Sequence, residues 1–235
     1  MARAVILAGG LGTRLRPFTV SLPKPLMPVV DRPILEIIIR QLVGAGFDHL
    51  TLAVSHQADL LKAYFGDGSR WNLRIDYSME TERLGTMGPL RLVADLPENF
   101  MVMNGDILTD LDFSGFLANH TADRRLFTIS AAARQQKIDY GVLDITADNR
   151  LNGFKEKPSI DYLVSMGVYC VNRRVLDFIP ENGAFGFDEL MLKLMAKNEP
   201  VTVDTHQGYW LDIGRPDDYQ KAIDDWPTIS RKMNL

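Results

Sequence analysis

The sequence predicts an α/β fold: a mixed, mostly parallel sheet with helices on both faces. Three observations carry this prediction. In the first half, apolar runs of strand length alternate with segments of helical spacing, the pattern of a parallel sheet covered on both sides. The first run, Ala4-Val5-Ile6-Leu7-Ala8, opens directly into the glycine-rich stretch Gly9-Gly10-Leu11-Gly12. The second half carries longer alternating runs, such as Tyr140–Ile145, which predict antiparallel additions to the sheet.

Taken in chain order, strands are expected at Ala2–Ala8, His49–Val54, Leu73–Tyr77, Phe100–Met103, Leu126–Ala132, Tyr140–Ile145, Tyr162–Val171 and Val201–Thr205. Helices are expected at Ile34–Ala45, Ala58–Phe65, Pro89–Asp95, Phe113–His120, Arg174–Phe178, Asp188–Ala196 and Pro216–Asp225. Ile34, Leu35, Ile38 and Leu42 line one helical face, with Gly44 and Gly46 as its stop. Pro89 and Pro216 suit first-turn positions, where the missing N–H costs nothing. Five of the twelve prolines fall between Pro17 and Pro33, which predicts an extended, stiff crossing loop that carries Lys24.

Composition narrows the function. The 235 residues suffice for one large domain; 46% are apolar and 24% charged, ordinary for a globular protein. Net charge is −4 with no run of Lys or Arg, so no face for a nucleic-acid polymer is expected. The lone Cys170 lies in an apolar run and reads as a buried small hydrophobe. No stretch is apolar enough to span a membrane, and the N-terminal run is too short for a signal peptide; a cytoplasmic protein is expected.

Five motifs carry chemistry. After the first strand, Gly9, Gly10 and Gly12 let a ligand approach backbone amides, and Thr13, Arg14, Arg16 and Lys24 add donors. Arg14 can grip phosphate bidentately, and Lys24 acts as a point charge. The spacing fits neither the dinucleotide fingerprint nor a Walker loop, which argues against a nicotinamide-dependent oxidoreductase. Second, Asn104-Gly105-Asp106 follows a buried strand, where ligands of open α/β sheets bind, and Asp106 could hold Mg²⁺ there or serve only a turn. Third, Trp210-Leu211-Asp212-Ile213-Gly214 sets a carboxylate among apolar neighbours, where it needs a partner or a metal. Fourth comes Phe154-Lys155-Glu156-Lys157-Pro158, which by itself reads as a solvated strand end. Fifth is the run Glu80 to Pro89, a loop entering a helix whose N-terminus can face an anion. Asp217 and Asp218 suit the first turn of the last helix.

In this order the five motifs resemble the sugar-1-phosphate nucleotidyltransferases, also called nucleotide-sugar pyrophosphorylases, over Leu7 to Tyr219. The resemblance implies a Rossmann-like nucleotide-diphospho-sugar transferase fold in a single catalytic domain over 1–235. Residues 1–110 would form a nucleotide-binding half and 111–235 a sugar-phosphate-binding half. The implied reaction joins a nucleoside triphosphate and a sugar 1-phosphate, with Mg²⁺ as cofactor and pyrophosphate as the second product. The implied roles are Asp106 and Asp212 at the metal, and Arg14 and Lys24 at the phosphates. Leu7, Gly9, Gly10, Gly12, Thr13, Glu80, Gly85 and Thr86 would surround the nucleotide. Gly141, Glu156, Lys157 and Gly167 would hold the sugar phosphate. Tyr140, Tyr162, Asp188 and Glu189 are further candidates for the border of that pocket.

Many members of that family carry a C-terminal left-handed β-helix. This chain ends soon after Tyr219, so no such domain is expected, and a homodimer would have to use the catalytic domain. Glu80 stands where thymidylyl- and some uridylyltransferases present glutamine. A carboxylate offers only acceptors and suits guanine, with its adjacent N1–H and 2-amino donors, over uracil or thymine. The string from Glu80 to Pro89 also resembles mannose-1-phosphate guanylyltransferases and their heptose-phosphate cousins. Uridylyl or thymidylyl transfer to a glucose-, N-acetylglucosamine- or MurNAc-type 1-phosphate stays open, as does a non-catalytic homologue that binds nucleotide sugars.

Overall fold

The computed structural model describes residues 2–55 and 57–233. The chain runs through β1 (Ala2–Leu7), β2 (Pro28–Val29), β3 (Arg32–Pro33), α1 (Ile34–Gly44), β4 (Phe47–Val54), α2 (Ala58–Phe65) and β5 (Arg74–Met79). It continues through β6 (Asn99–Asn104), β7 (Ile107–Thr109), α3 (Phe113–Ala122), β8 (Phe127–Lys137), β9 (Val142–Ile145), β10 (Leu151–Lys155) and β11 (Ser159–Asn172). It closes with α4 (Phe187–Ala196), β12 (Val201–His206), β13 (Trp210–Asp212) and α5 (Pro216–Lys232).

A seven-stranded sheet in the order β12-β8-β11-β6-β1-β4-β5 organises these elements. β5, β4, β1 and β6 run parallel. β11 lies antiparallel between β6 and β8, and β12 pairs parallel with β8. The mixed, mostly parallel sheet expected from the sequence is therefore present. The chain winds from β1 outward to β4 and β5, then crosses back to β6 on the other side of β1. That reversal opens a crevice beyond the carboxyl ends of β1 and β6, where ligands of such sheets bind.

Strand alternation splits the core in two. Ala4, Ile6, Met101 and Met103 point to one face, packed with α1, α2, α3 and α5 through Ile38, Leu61, Phe113 and Trp226. Val5, Phe100, Val102 and Tyr169 point to the other, packed with α4 and two short 3-10 segments through Leu90, Val175 and Leu190. Cys170 is buried, as its apolar run implies, and burial pushes its thiol pKa up.

Several expectations need correction. The Pro17–Pro33 segment is not extended throughout: it makes 3-10 turns at Phe18–Val20 and Lys24–Leu26, then the β2–β3 hairpin. Proline φ values suit a 3-10 turn as well as an extended chain. The segments expected as helices at Pro89–Asp95 and Arg174–Phe178 are 3-10, at Gly88–Leu92 and Arg173–Phe178. The last helix passes through Pro227 to Lys232 instead of stopping at Asp225. Trp226 and Ile229 are buried on either side of that proline, and their packing outweighs the lost N–H. Among the described residues, no helix is long and apolar enough to cross a membrane.

Candidate active site

The glycine loop leaves β1 at the switch point. Leu7 holds it to β6, because its carbonyl accepts from Gly105 N (3.0 Å). Gly9 lies beside the end of β4, and its carbonyl accepts from Ser55 Oγ (2.7 Å). A Cβ on Gly9 would stand 2.9 Å from Glu80 Oε1, so this backbone and the Glu80 carboxyl share one pocket. Gly10 has nothing within 4 Å of such a Cβ and faces open space. Gly12 adopts φ +60 and packs on Thr19, whose Oγ1 donates to the Gly12 carbonyl (2.7 Å). A 3-10 turn, Thr13–Leu15, follows; buried Leu15 anchors it and leaves Thr13 and Arg14 exposed.

Four charged groups meet beyond the crevice. Lys24 Nζ donates to Asp106 Oδ2, a buried lysine on a stiff turn against the carboxylate that follows β6. Asp106 Oδ1 is buried without a hydrogen-bond partner. β13 pairs antiparallel with β7, which sets Asp212 opposite Ile107, and Ile213 N donates to the Asp106 carbonyl (3.0 Å). Arg14 reaches this point from the glycine loop: a Cβ on Gly214 would stand 3.3 Å from one of its terminal nitrogens. Burial pushes the Asp212 carboxyl pKa up, and the charge of Asp106 pushes it further; Lys24 and Arg14 oppose both effects.

This arrangement fits a hard cation. Among the described residues no three His, Cys, Asp or Glu side chains gather to cage one. Mg²⁺ needs no cage, since it keeps waters and binds through one or two carboxylates plus substrate phosphates. A divalent ion, which Asp106 and Asp212 would hold, would partner the free Asp106 oxygen and relieve the repulsion between the two carboxylates.

Glu80 follows β5, its backbone tied to Val54 (2.9 Å), and Oε2 accepts weakly from Leu84 N (3.4 Å). Burial raises the pKa of this carboxyl. Gly85 adopts φ +77, and a Cβ there would meet the Phe185 carbonyl at 2.7 Å, so only glycine fits this crossing. The Thr86 hydroxyl accepts from Phe187 N (2.8 Å), which ties the loop to the start of α4. Glu189 Oε2 accepts from Gly186 N (2.6 Å) and caps the same helix end. Asp217 and Asp218 do occupy the first turn of α5.

The remaining predicted residues form two groups. Gly167, at φ +75, lies in the irregular stretch of the β8–β11 ladder; a Cβ there would stand 2.6 Å from Asn104 Nδ2. Gly141 sits under the Phe154 ring at the root of the β9–β10 hairpin, with Glu156 Oε2 beside it. Lys157 adopts φ +44, and both Glu156 and Lys157 are exposed. Neither side chain makes a hydrogen bond or ion pair within the chain among the described residues. The structure thus unites Gly9 with Glu80, and Arg14, Lys24, Asp106 and Asp212 with one another. It leaves Gly141, Glu156 and Lys157 on the outlying hairpin. Sequence reasoning did not mention Ser55, and it gave Asn104 and Gly214, which stand inside two of the motifs, no role of their own. Each follows the end of a strand or forms its last residue, which is the signal that would have found them.

A glycine loop, a basic turn and paired carboxylates at the switch point define a class, the α/β proteins that handle nucleotide phosphates. The chain belongs to the nucleotidyl transferase family, which it matches over residues 3–228. It is 36% identical over 225 residues to a mannose-1-phosphate guanyltransferase beta-B of Xenopus laevis, and 33% over 242 residues to a UTP–glucose-1-phosphate uridylyltransferase of Synechocystis. These alignments cover 92% and 94% of this chain but only 62% of each relative's length. The crystal structure of HddC from Yersinia pseudotuberculosis, complexed with GMP-PN, superposes with a TM-score of 0.75 at 28% identity. That match covers 96% of this chain and all of the other.

Proposed function

We propose that the chain transfers a nucleotidyl group from a nucleoside triphosphate, GTP by preference, to a mannose- or heptose-type sugar 1-phosphate. The observation that carries this reading is the meeting of Arg14, Lys24, Asp106 and Asp212 at the end of the crevice. In the reaction a sugar-1-phosphate oxygen attacks the α-phosphorus. The bond from that phosphorus to the bridging oxygen breaks, and pyrophosphate leaves. Attacker and target are both anionic, so catalysis rests on positioning and charge neutralisation. Asp106 and Asp212 would hold Mg²⁺, which when bound neutralises phosphate charge. Arg14 projects from the loop that cradles the triphosphate and would stabilise the charge gathering on the departing pyrophosphate. Lys24 holds Asp106 in place and lends positive charge to the phosphates. Glu156 and Lys157 would meet the sugar hydroxyls and the sugar phosphate, with Gly141 and Gly167 lining that side.

The GTP preference rests on Glu80, whose Oε1 has no hydrogen-bond donor from within the described chain and stands beside Gly9. The guanylyl-transferring relatives and the guanine nucleotide in HddC favour the same base. A uridylyl-transferring relative at similar identity gives UTP with glucose 1-phosphate as the second reading. An intact charged cluster argues against a non-catalytic homologue, which would have no use for an unpartnered buried carboxylate oxygen. The test is pyrophosphate release across five nucleoside triphosphates, paired with mannose, glucose, N-acetylglucosamine and heptose 1-phosphates, with Mg²⁺ and with chelator. Release confined to GTP and a manno-configured sugar, and lost with chelator, is the expected result. Release with UTP or dTTP would replace the base assignment, and silence with every pair would overturn the reading.

A further inference from the structure

A second cavity, of about 530 Å³, lies away from the charged cluster, on the sheet face that carries Val5 and Ala53. Its floor is a patch of β1, β4 and β5, where Arg3, Thr51, Asp76 and Ser78 replace the apolar residues of the neighbouring core. Its far wall is the segment Leu92–Pro97.

Two of the floor groups lack what buried polar groups need. Arg3 is 5% exposed, and its guanidinium donates only to neutral oxygens. These are Thr51 Oγ1 (2.8 and 3.3 Å) and the carbonyls of Ala94 (3.0 Å) and Asp95 (2.9 Å). No carboxylate pairs with it among the described residues. Asp76, on the same floor, is bonded to His49 (2.7 Å) and to Arg74 (2.9 and 3.2 Å). The carboxylates of Asp76 and Asp95 act on Arg3 only through space, and Arg74 opposes them. A buried guanidinium with no directly bonded counter-ion is costly to keep, and an anion in the cavity offsets that cost. Ser78 is 8% exposed, lines the same cavity, and its hydroxyl has no hydrogen-bond partner. Buried side-chain hydroxyls in native proteins nearly always have one.

We propose that this cavity is a binding site for a small molecule that carries an oxyanion, a phosphoryl or carboxylate group, separate from the reaction centre. The anion meets Arg3 and Ser78, while Arg74 stands at the rim. The volume lies in the range of small-molecule sites. Its walls also flank the Glu80–Met87 loop in sequence: β5 ends at Met79, and the 3-10 turn Gly88–Leu92 leads into Leu92–Pro97. An occupant touching both walls holds the two stems of that loop.

The test is titration of the full chain with inorganic phosphate and, separately, malonate, following the backbone amides of Thr51, Ser78 and Ala94 by NMR. Both anions should shift these amides saturably and beyond what chloride of equal ionic strength does. A response to phosphate alone assigns the phosphoryl group, and a response to malonate alone the carboxylate. Arg3→Met should weaken binding about tenfold or more, the weight of a charged hydrogen bond. Should that variant fail to fold, Ser78→Ala and Arg74→Ala decide. Ser78→Ala removes a hydroxyl that bonds nothing, so it should fold at least as stably as the parent while binding more weakly. Shifts no larger than the chloride control, shifts confined to Gly9–Arg14, or parental affinity in both variants would overturn the proposal.

Discussion

Asp212, proposed to hold the metal, is a side chain whose ionised form is set against the stability of the fold. Burial and the neighbouring Asp106 raise its pKa in the folded chain. The native state therefore holds this proton more tightly than the unfolded state does. Stability from this group falls as pH rises from about 4, its unfolded pKa, and the full penalty is reached once pH passes the raised folded pKa. Asp212→Asn should raise the melting temperature of the ligand-free chain at pH 7, less so at pH 4, while turnover falls by about 10²–10³, the loss seen when one charge-stabilising group is removed. Calorimetry beside a pyrophosphate assay checks both halves; a less stable variant, or one with parental turnover, contradicts the metal role. Glu80 makes a related point, because burial raises its pKa while the proposed reading of guanine needs it ionised. The KM for GTP should rise as pH falls through that raised pKa, and Glu80→Gln should flatten the profile and shift preference toward UTP. Undiminished GTP preference in Glu80→Gln would defeat the base-reading argument. The residue types at these positions were legible from motif alone. That Asp106 meets Asp212, and Gly9 meets Glu80, was implied only by the family resemblance. Spacing and periodicity could not supply it, because these pairs join positions about a hundred and about seventy residues apart, and the raised pKa of Asp212 was not foreseen at all.

Among the elements, long periodic segments were the legible ones. α1, α2, α4 and the parallel strands fall within a few residues of expectation, because a repeating apolar face reports burial directly. The short pieces escaped. β7 and β13, three residues each, carry no period, yet their pairing is what brings Asp212 to Asp106. The hairpin β9–β10 was half seen: β9 alternates apolar and polar, whereas Gly153 interrupts the pattern of β10 and coincides with a shift in its register. Gly167 marks a similar irregularity in β11. At φ +75 a side chain costs about 1–2 kcal/mol, and a Cβ there would also press on Asn104 Nδ2. Gly167→Ala should therefore lower the melting temperature by ~2–4 °C per kcal/mol lost. It should also crowd the sugar-phosphate side that Gly167 is proposed to line, so the KM for the sugar phosphate should rise with it. A scan and an initial-rate series test this, and an unchanged melting temperature would show that the strand yields without cost.

At the scale of the molecule, the alternation of strands and helices foretold the layers but could not foretell the strand order. That order depends on which strands meet across β6 and β11, a choice local patterning does not encode. The order has a functional consequence. The groups proposed to face the nucleotide follow β1, β4 and β5, on one side of the switch point. Of the groups assigned to the sugar phosphate, Gly167 lies in β11, while Gly141, Glu156 and Lys157 lie at the foot of the β9–β10 hairpin between β8 and β11, whose outer residues Leu143, Ile145, Leu151 and Phe154 are more than half exposed. Phe154 lies over Gly141 and beside Glu156, so this apolar surface adjoins the proposed sugar pocket. The two substrates should then be separable by mutation. Lys157→Ala removes one charged hydrogen bond to phosphate, about 1.5–3 kcal/mol, and should raise the KM for the sugar 1-phosphate roughly ten- to a hundredfold. The KM for the triphosphate should stay put, because among the described residues no side-chain hydrogen bond or ion pair joins the hairpin to the glycine loop. Steady-state kinetics with each substrate varied at saturation of the other reads this directly. Equal rises in both constants would mean that the hairpin closes over the whole crevice, and that the division into a nucleotide side and a sugar side does not survive substrate binding.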